Sequence, residues 1–269
     1  MRLRVHWSTL LMAIVAGFCL LVILFGRLIE SGLDPHAMIL DNRLSAPLTR
    51  GYLLGSDEFG RDVVARLLAG LRWSVSIATL ATAIAFVIGV TLGLVAARRE
   101  GWLSTVLRQI TTFTQAFPAF VLAVTVIAII GSDGIWSVVL TLGLITWPVF
   151  ARVAYAEGRA IFQREYVLAA QMMGMSRLRL YVRHILPSLI PTLSVLLVFH
   201  FADMIIAESA LSFLGIGAPL GAATWGAMLS ESRTYMYDAP WLLMAPAGAI
   251  VILIITAQLF GQHLRERAP

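Results

Sequence analysis

Residues Trp73 to Ala97 read W-S-V-S-I-A-T-L-A-T-A-I-A-F-V-I-G-V-T-L-G-L-V-A-A, twenty-five positions without a charged side chain, closed by Arg98 and Arg99. About 20 apolar residues of helix, rising about 1.5 Å each, cross the ~30 Å of hydrocarbon in a bilayer. This segment is therefore long enough to span, and it sets the solvent for the rest of the chain. The composition agrees: of 269 residues, 59% are hydrophobic and 13% charged, with a mean hydropathy of +0.86. Soluble domains carry about 25% charged and about 45–50% apolar residues. Disorder is excluded by the same numbers.

Working outward, similar runs recur. Toward the N-terminus, Trp7 to Phe25 follows Arg2 and Arg4. No small-x-small site follows it, so it is expected to be an uncleaved first span rather than a signal peptide. Toward the C-terminus, spans are expected at about Thr111–Ile130 (interrupted early by Pro118), Ile135–Tyr155 (containing Pro148), Ser188–Leu211 (with Pro191 in the first turn) and Trp241–Phe260. The expected fold is all-α and integral to the membrane, with about six transmembrane helices. Two parts are expected: 1–72, an N-terminal span plus an external amphipathic segment, and 73–269, a five-helix core with a polar loop at 157–187. In the first part, Phe59, Val63, Val64, Leu67, Leu68 and Leu71 recur at helical spacing. They predict an interfacial helix capped by Ser56 or Asp57. A Gly- and Pro-bearing loop is expected from Ser212 to Pro240. Gly89 and Gly93 form a small-xxx-small face suited to close helix contact.

All twenty basic residues are arginine. Without lysine the chain cannot hold a standard P-loop or form a Schiff base. If ATP drives this protein, another chain binds it. One cysteine excludes a disulfide framework, and five scattered histidines give no zinc spacing. No metal site is expected. The net charge of +5 reflects membrane topology, and no nucleic-acid partner is expected. With both termini on one side, that side holds thirteen of the twenty arginines, while the other offsets its seven with eight acids. The positive-inside bias then predicts cytoplasmic N- and C-termini.

The longest segment on the arginine-rich side ends in R-E-Y-V-L-A-A-Q-M-M-G-M-S-R-L-R-L-Y-V-R-H-I-L-P, Arg164 to Pro187. Val167 to Met173 are helical by composition, and Gly174 ends that helix. Ser176 is placed to cap a second helix bearing Arg177, Arg179 and Arg183, which is expected to stop at Pro187. An apolar knob on a short surface helix suits a groove on a partner protein. The alternative is a loop whose arginines meet anionic lipid headgroups.

The stretch Leu168-Ala169-Ala170, then Gly174, then His184-Ile185-Leu186-Pro187 resembles the EAA loop of ABC importer permeases. Leu168 stands at the family's glutamate position and His184 at its isoleucine position. Leu54-Gly55-Ser56-Asp57-Glu58-Phe59-Gly60-Arg61-Asp62 is similar to the family's LGTDxxGRD signature. Ser212-Phe213-Leu214-Gly215-Ile216-Gly217 with Thr224-Trp225-Gly226 is similar to its SFLGLG…WG loop. Both are typical of the C-type subunit in the peptide/nickel branch. The resemblance implies an importer-permease fold in a bacterial inner membrane and a hetero-dimer with a second permease subunit. It also implies two ATPase subunits that bind ATP and Mg, no cofactor in this chain, and a periplasmic or lipid-anchored binding protein that delivers peptide, nickel or a metal chelate. It further implies a coupling helix that docks on the ATPase through Leu168, Ala169, Ala170, Met172, Met173, Gly174, Met175 and Ser176. The permease itself is expected to be non-catalytic.

His200, Asp203 and Glu208 fall inside the fifth expected span. Ionisable residues at depth usually face a polar cavity. At ~100° per residue, Asp203 lies about 60° to one side of His200 and Glu208 about 80° to the other. Together they are candidates for lining a translocation path. They also allow a second class of function, an ion-coupled secondary transporter using Asp203 or Glu208 as a proton relay. Ser194 and Ser209 lie too far around the helix from His200 to form a nucleophile–base pair with it.

Overall fold

The computed structural model describes residues 33–98, 101–131, 134–217 and 222–267. The span expected at Trp7–Phe25 lies outside them. Helix α1 runs Val63–Arg98, α2 Trp102–Ala116, α3 Ala119–Ile130, α4 Ile135–Phe162, α5 Glu165–Met172 and α6 Arg177–Leu180. Then α7 runs Leu186–Phe213, α8 Trp225–Ser232 and α9 Trp241–Arg267. Among the described residues, four helical stretches are long and apolar enough to cross a membrane: α1, α4, the α6–α7 run and α9. A fifth crossing among them is available if α2 and α3 count as one span, and these meet at a 92° bend.

Two boundaries and one cap differ from the sequence reading. Interfacial and spanning helices were expected to be separate, but α1 is unbroken from Val63 to Arg98 and crosses the expected division at 72–73. Its first turns bury Val63, Ala65, Arg66, Ala69 and Leu71 against protein; of the expected stripe Val63 and Leu71 lie in the core, Leu67 and Leu68 pack half-buried against it, and Phe59 is exposed. The cap is Asp62, not Ser56 or Asp57: its Oδ1 accepts from the Val64 amide at 2.8 Å. At Phe117-Pro118 the third span is interrupted where the sequence reading places the interruption. Proline cannot donate to the helical ladder and disfavours helix in the residue before it, and Phe117 is extended there (φ −97, ψ 142). At Pro187 the opposite happens. The helix continues through a π turn at Tyr181–Ile185, where the Leu186 amide donates to the Tyr181 carbonyl, five residues back. Widening the turn just before the proline accommodates the ring without a break.

Helix α1 lies along α4 at a separation only glycine allows. A Cβ on Gly89 would sit 2.4 Å from the Trp147 carbonyl oxygen, and one on Gly93 would sit 2.4 Å from that of Ala151. The small-xxx-small face therefore touches α4 backbone. Two apolar clusters stack along the bundle. One gathers Leu71, Val75, Val138, Leu142, Met204, Ile205, Leu211 and Trp225. The other gathers Leu94, Phe150, Ile161, Val167, Leu180, Ile185 and Leu193. On α7, His200 falls between Leu193 of one cluster and Met204 of the other. The 36 residues of α1 extend ~54 Å, so its two ends are well separated.

Candidate functional site

At the first end of α1 the segment Leu54–Asp62 folds into a tight turn. Gly55 (φ +84) and Gly60 (φ +73) take left-handed conformations, and a Cβ at either would strike backbone: Ser45 O at 2.6 Å from Gly55, Ile39 O at 1.9 Å from Gly60. The turn aims Asp57 inward, where it is 1% exposed. Asp57 Oδ1 accepts from the amides of Phe59 and Arg61, each at 2.9 Å. Its Oδ2 receives Arg61 Nε at 2.5 Å and Arg66 Nη1 at 2.6 Å. Arg66 Nη2 reaches across to Glu231 Oε2 of α8 at 2.7 Å. Burying a carboxylate and two guanidiniums is costly unless they pair with one another, as these do, with Arg66 Nε left without a hydrogen-bond partner among the described residues. The cluster therefore ties the first turn of α1 to α8.

Helix α8 replaces part of the loop expected between Ser212 and Pro240. Thr224 caps it, accepting from the Ala227 amide at 3.2 Å, and Trp225 Nε1 donates to the Leu67 carbonyl of α1 at 3.0 Å. Gly226 approaches so closely that a Cβ would lie 2.2 Å from Ser209 O of α7. Trp241 Nε1 donates to Ser56 O at 3.4 Å. The two motifs at Leu54–Asp62 and Ser212–Gly226, far apart in sequence, are thus one packed unit. Sequence reading missed Arg66 and Glu231 as its members. The available signal was a lone arginine within the apolar run Val63–Leu71, which requires a buried counter-charge.

At the other end of α1, α5 carries the predicted coupling residues. Val167 and Ala170 are buried in the second cluster and anchor the helix. Leu168, Ala169, Gln171, Met172 and Met173 face outward, with Met172 88% and Met173 79% exposed. The helix ends in a Schellman turn. Gly174 is left-handed (φ +77), its amide donates to the Gln171 carbonyl, and the Met175 amide donates to the Ala170 carbonyl. Met175 closes the turn by packing on the second cluster. Ser176 opens α6 in extended conformation, but its side chain makes no capping bond; its carbonyl accepts from the Leu180 amide. All eight predicted coupling residues are brought together on one short helix and its turn.

The three ionisable residues of α7 are not brought together. His200 is buried, 3.1 Å from Thr146 Oγ1, with its ring edge-on to Phe150 at 4.8 Å. Glu208 is fully buried and accepts from Ser212 at 2.8 Å and Ser209 at 3.5 Å. Asp203 is exposed on another face. The expected common polar sector separates into two residues used in packing and one left outside. Ser194 donates to the Pro191 carbonyl and does not face His200. No cluster of three or more His, Cys, Asp or Glu suited to a metal ion occurs among the described residues.

The chain is similar to known proteins. The chain is 31% identical over 225 residues to the dipeptide transport system permease protein DppC of Alkalihalophilus pseudofirmus, covering 84% of this chain and 73% of that one. It is 35% identical to the glutathione transport system permease protein GsiD of Pectobacterium atrosepticum, covering 84% and 74%. A solved inward-facing structure of the MetNI methionine ABC transporter superposes with a TM-score of 0.61 at 18% identity, covering 76% of this chain and 96% of that one, so the fold is that of an ABC transporter membrane subunit. Residues 89–268, which hold the α1–α4 contact, the α5 turn and α7 to α9, match the family described as binding-protein-dependent transport system inner membrane component, and the chain belongs to it as a permease subunit of the inner membrane.

Proposed function

We propose that this chain is one half of the conduit of an ATP-driven importer that carries short peptides from periplasm to cytoplasm. A second permease subunit completes the conduit, and a periplasmic or lipid-anchored binding protein delivers the cargo. Two ATPase subunits bind ATP and Mg and supply the work, and this chain performs no catalysis. The α5 end faces the cytoplasm together with both termini. The reading rests chiefly on one observation: a short helix whose inner face is pinned by Val167 and Ala170 while Leu168, Met172 and Met173 stand bare. Exposed apolar side chains on a rigid helix are hot-spot anchors for a groove on a partner. The peptide class is supported by the relatives, named for dipeptide and glutathione transport. Among the three ionisable residues of α7, only Asp203 remains available to meet a cationic peptide terminus.

The test is uptake of a labelled dipeptide, and of nickel ion in parallel, with ATP hydrolysis by the assembled complex. Met172→Glu with Met173→Glu places two charges where a partner groove closes. It is expected to abolish dipeptide uptake and the binding-protein stimulation of hydrolysis while leaving the purified chain as heat-stable as before. Gly174→Pro, which removes the amide bonded to Gln171 and cannot adopt φ +77, is expected to do the same. Normal uptake by both variants would overturn the coupling assignment, and nickel uptake without dipeptide uptake would overturn the cargo.

A further inference from the structure

Beneath α5 lies a cleft of about 510 Å³ walled by the ends of α1 and α4, by α5 and by α6. Its polar lining is Arg98, Arg159 and Arg177 with Gln163, Gln171 and Tyr181, and among the described residues no Asp or Glu lines it. The guanidiniums arrive from three separate elements. One, Arg159, is steadied by the Tyr155 hydroxyl at 3.2 Å. A concave site lined by one sign of charge concentrates potential and selects an anion. Guanidinium forks match phosphate oxygens bidentately, which ammonium groups do not.

We propose that this cleft binds the phosphate group of an anionic phospholipid. Three observations favour a lipid over a free ion. The cleft is far larger than one inorganic phosphate. Its remaining wall is apolar, formed by Phe162, Leu168, Met175 and Leu180, and so suits a glycerol backbone and the start of an acyl chain. It also opens where the apolar run of α1 gives way, at Ala97-Arg98, which is headgroup depth for a helix spanning the bilayer. A bound headgroup there bridges α1 and α4 to the helix bearing Met172 and Met173.

The experiment is native mass spectrometry of the full chain released from its membrane in mild detergent, titrated with dioleoyl-phosphatidylglycerol and separately with dioleoyl-phosphatidylcholine. One phosphatidylglycerol per chain is expected to survive conditions that strip phosphatidylcholine. Arg98→Gln and Arg177→Gln are each expected to weaken retention by about fivefold, as loss of one basic contact near a membrane surface does. Arg177→Lys, which keeps the charge but loses the fork, should restore only part of the binding lost in Arg177→Gln, and Arg43→Gln, at the opposite end, should retain all of it. Arg177 is exposed, so its replacement leaves the buried core intact and remains informative even if Arg98→Gln fails to accumulate. Equal retention by wild type and Arg177→Gln overturns the proposal. Displacement of the lipid by millimolar inorganic phosphate overturns it in favour of a free anion. Loss of the lipid when the ATPase subunits are bound overturns it in favour of an acidic side chain of that partner.

Discussion

Asp57, 1% exposed, receives two guanidiniums and two backbone amides at one end of α1; at the other end Met172 and Met173 stand 88% and 79% exposed at the end of a helix of eight residues and on its cap. The first region pairs its own charges, although Arg66 Nε finds no hydrogen-bond partner among the described residues, and it joins α1, the Leu54–Asp62 turn and α8 into one body. The second buries only Val167 and Ala170 of its helix and offers the rest outward. One end is closed by internal pairing, and the other leaves apolar side chains in the open, where the proposed function places a partner. The energetics differ accordingly. Damage to the closed end falls on folding, whereas damage to the open end falls on association.

Asp57→Ala tests this contrast most severely. It leaves Arg61 and Arg66 buried with only Glu58 and Glu231 nearby, at 3.4 and 2.7 Å. Removing one partner of a buried ion pair costs about 3–5 kcal/mol. The expected result is a large fall in the Tm of the purified chain, with loss of uptake following from poor folding. An unchanged Tm would mean that the closed end is not held by its charges.

Gly89→Val tests the rod between the two ends. The new side chain meets the Trp147 carbonyl and Phe150 Cβ, so α1 and α4 must separate. Overpacking of this kind costs about 1–3 kcal/mol, read as a Tm decrease. If the cost is nearer zero, the close approach of α1 and α4 is dispensable, and the two ends are coupled by another route.

The sequence carried the membrane class and most of the helices because spanning length and apolar purity are local properties, as Trp73–Ala97 illustrates. The Gly174 turn was legible for a similar reason, since one left-handed residue ends a helix regardless of what surrounds it. Pro187 was misread because the same proline that ends one helix is absorbed by a π turn in another, and the choice depends on packing of Leu180 and Ile185. The contact of Arg66 with Glu231 joins residues 165 apart, and local patterning does not encode a pairing at that distance. His200, Asp203 and Glu208 were grouped by helical angle alone. Which of them faces a neighbouring helix is decided by Thr146 and Phe150 of α4 and by the serines beside Glu208.

Gly174→Ala probes the open end gently. No atom lies within 4 Å of the Cβ position, so the cost is that of a left-handed alanine, about 1–2 kcal/mol. Because the turn is exposed and local, the expected outcome is nearly unchanged global Tm with faster amide exchange at Met175, whose bond to Ala170 the turn supports. A global loss of stability would show that the open end is as firmly part of the core as the closed one.

The smallest effect expected is at Glu58, and it separates burial from pairing at the closed end. Burial is the main cause that pushes its carboxyl above the ordinary carboxylate range; Asp57 and Glu231 add to the shift, while its backbone contact and Arg61 oppose it. The folded chain therefore takes up this proton at a higher pH than the unfolded chain does. Above the raised pKa the buried charge costs stability. As pH falls through that value the cost is relieved, and once the pH is below the ordinary value both states are protonated and no further gain occurs. Glu58→Gln removes the titrating group while keeping the shape. It should raise stability slightly at neutral pH, leave it unchanged in acid, and flatten the pH dependence of Tm between those limits. If the variant instead loses stability at neutral pH, the 3.4 Å pairing with Arg61 outweighs desolvation, and Glu58 belongs with Asp57 among the groups that hold the end closed.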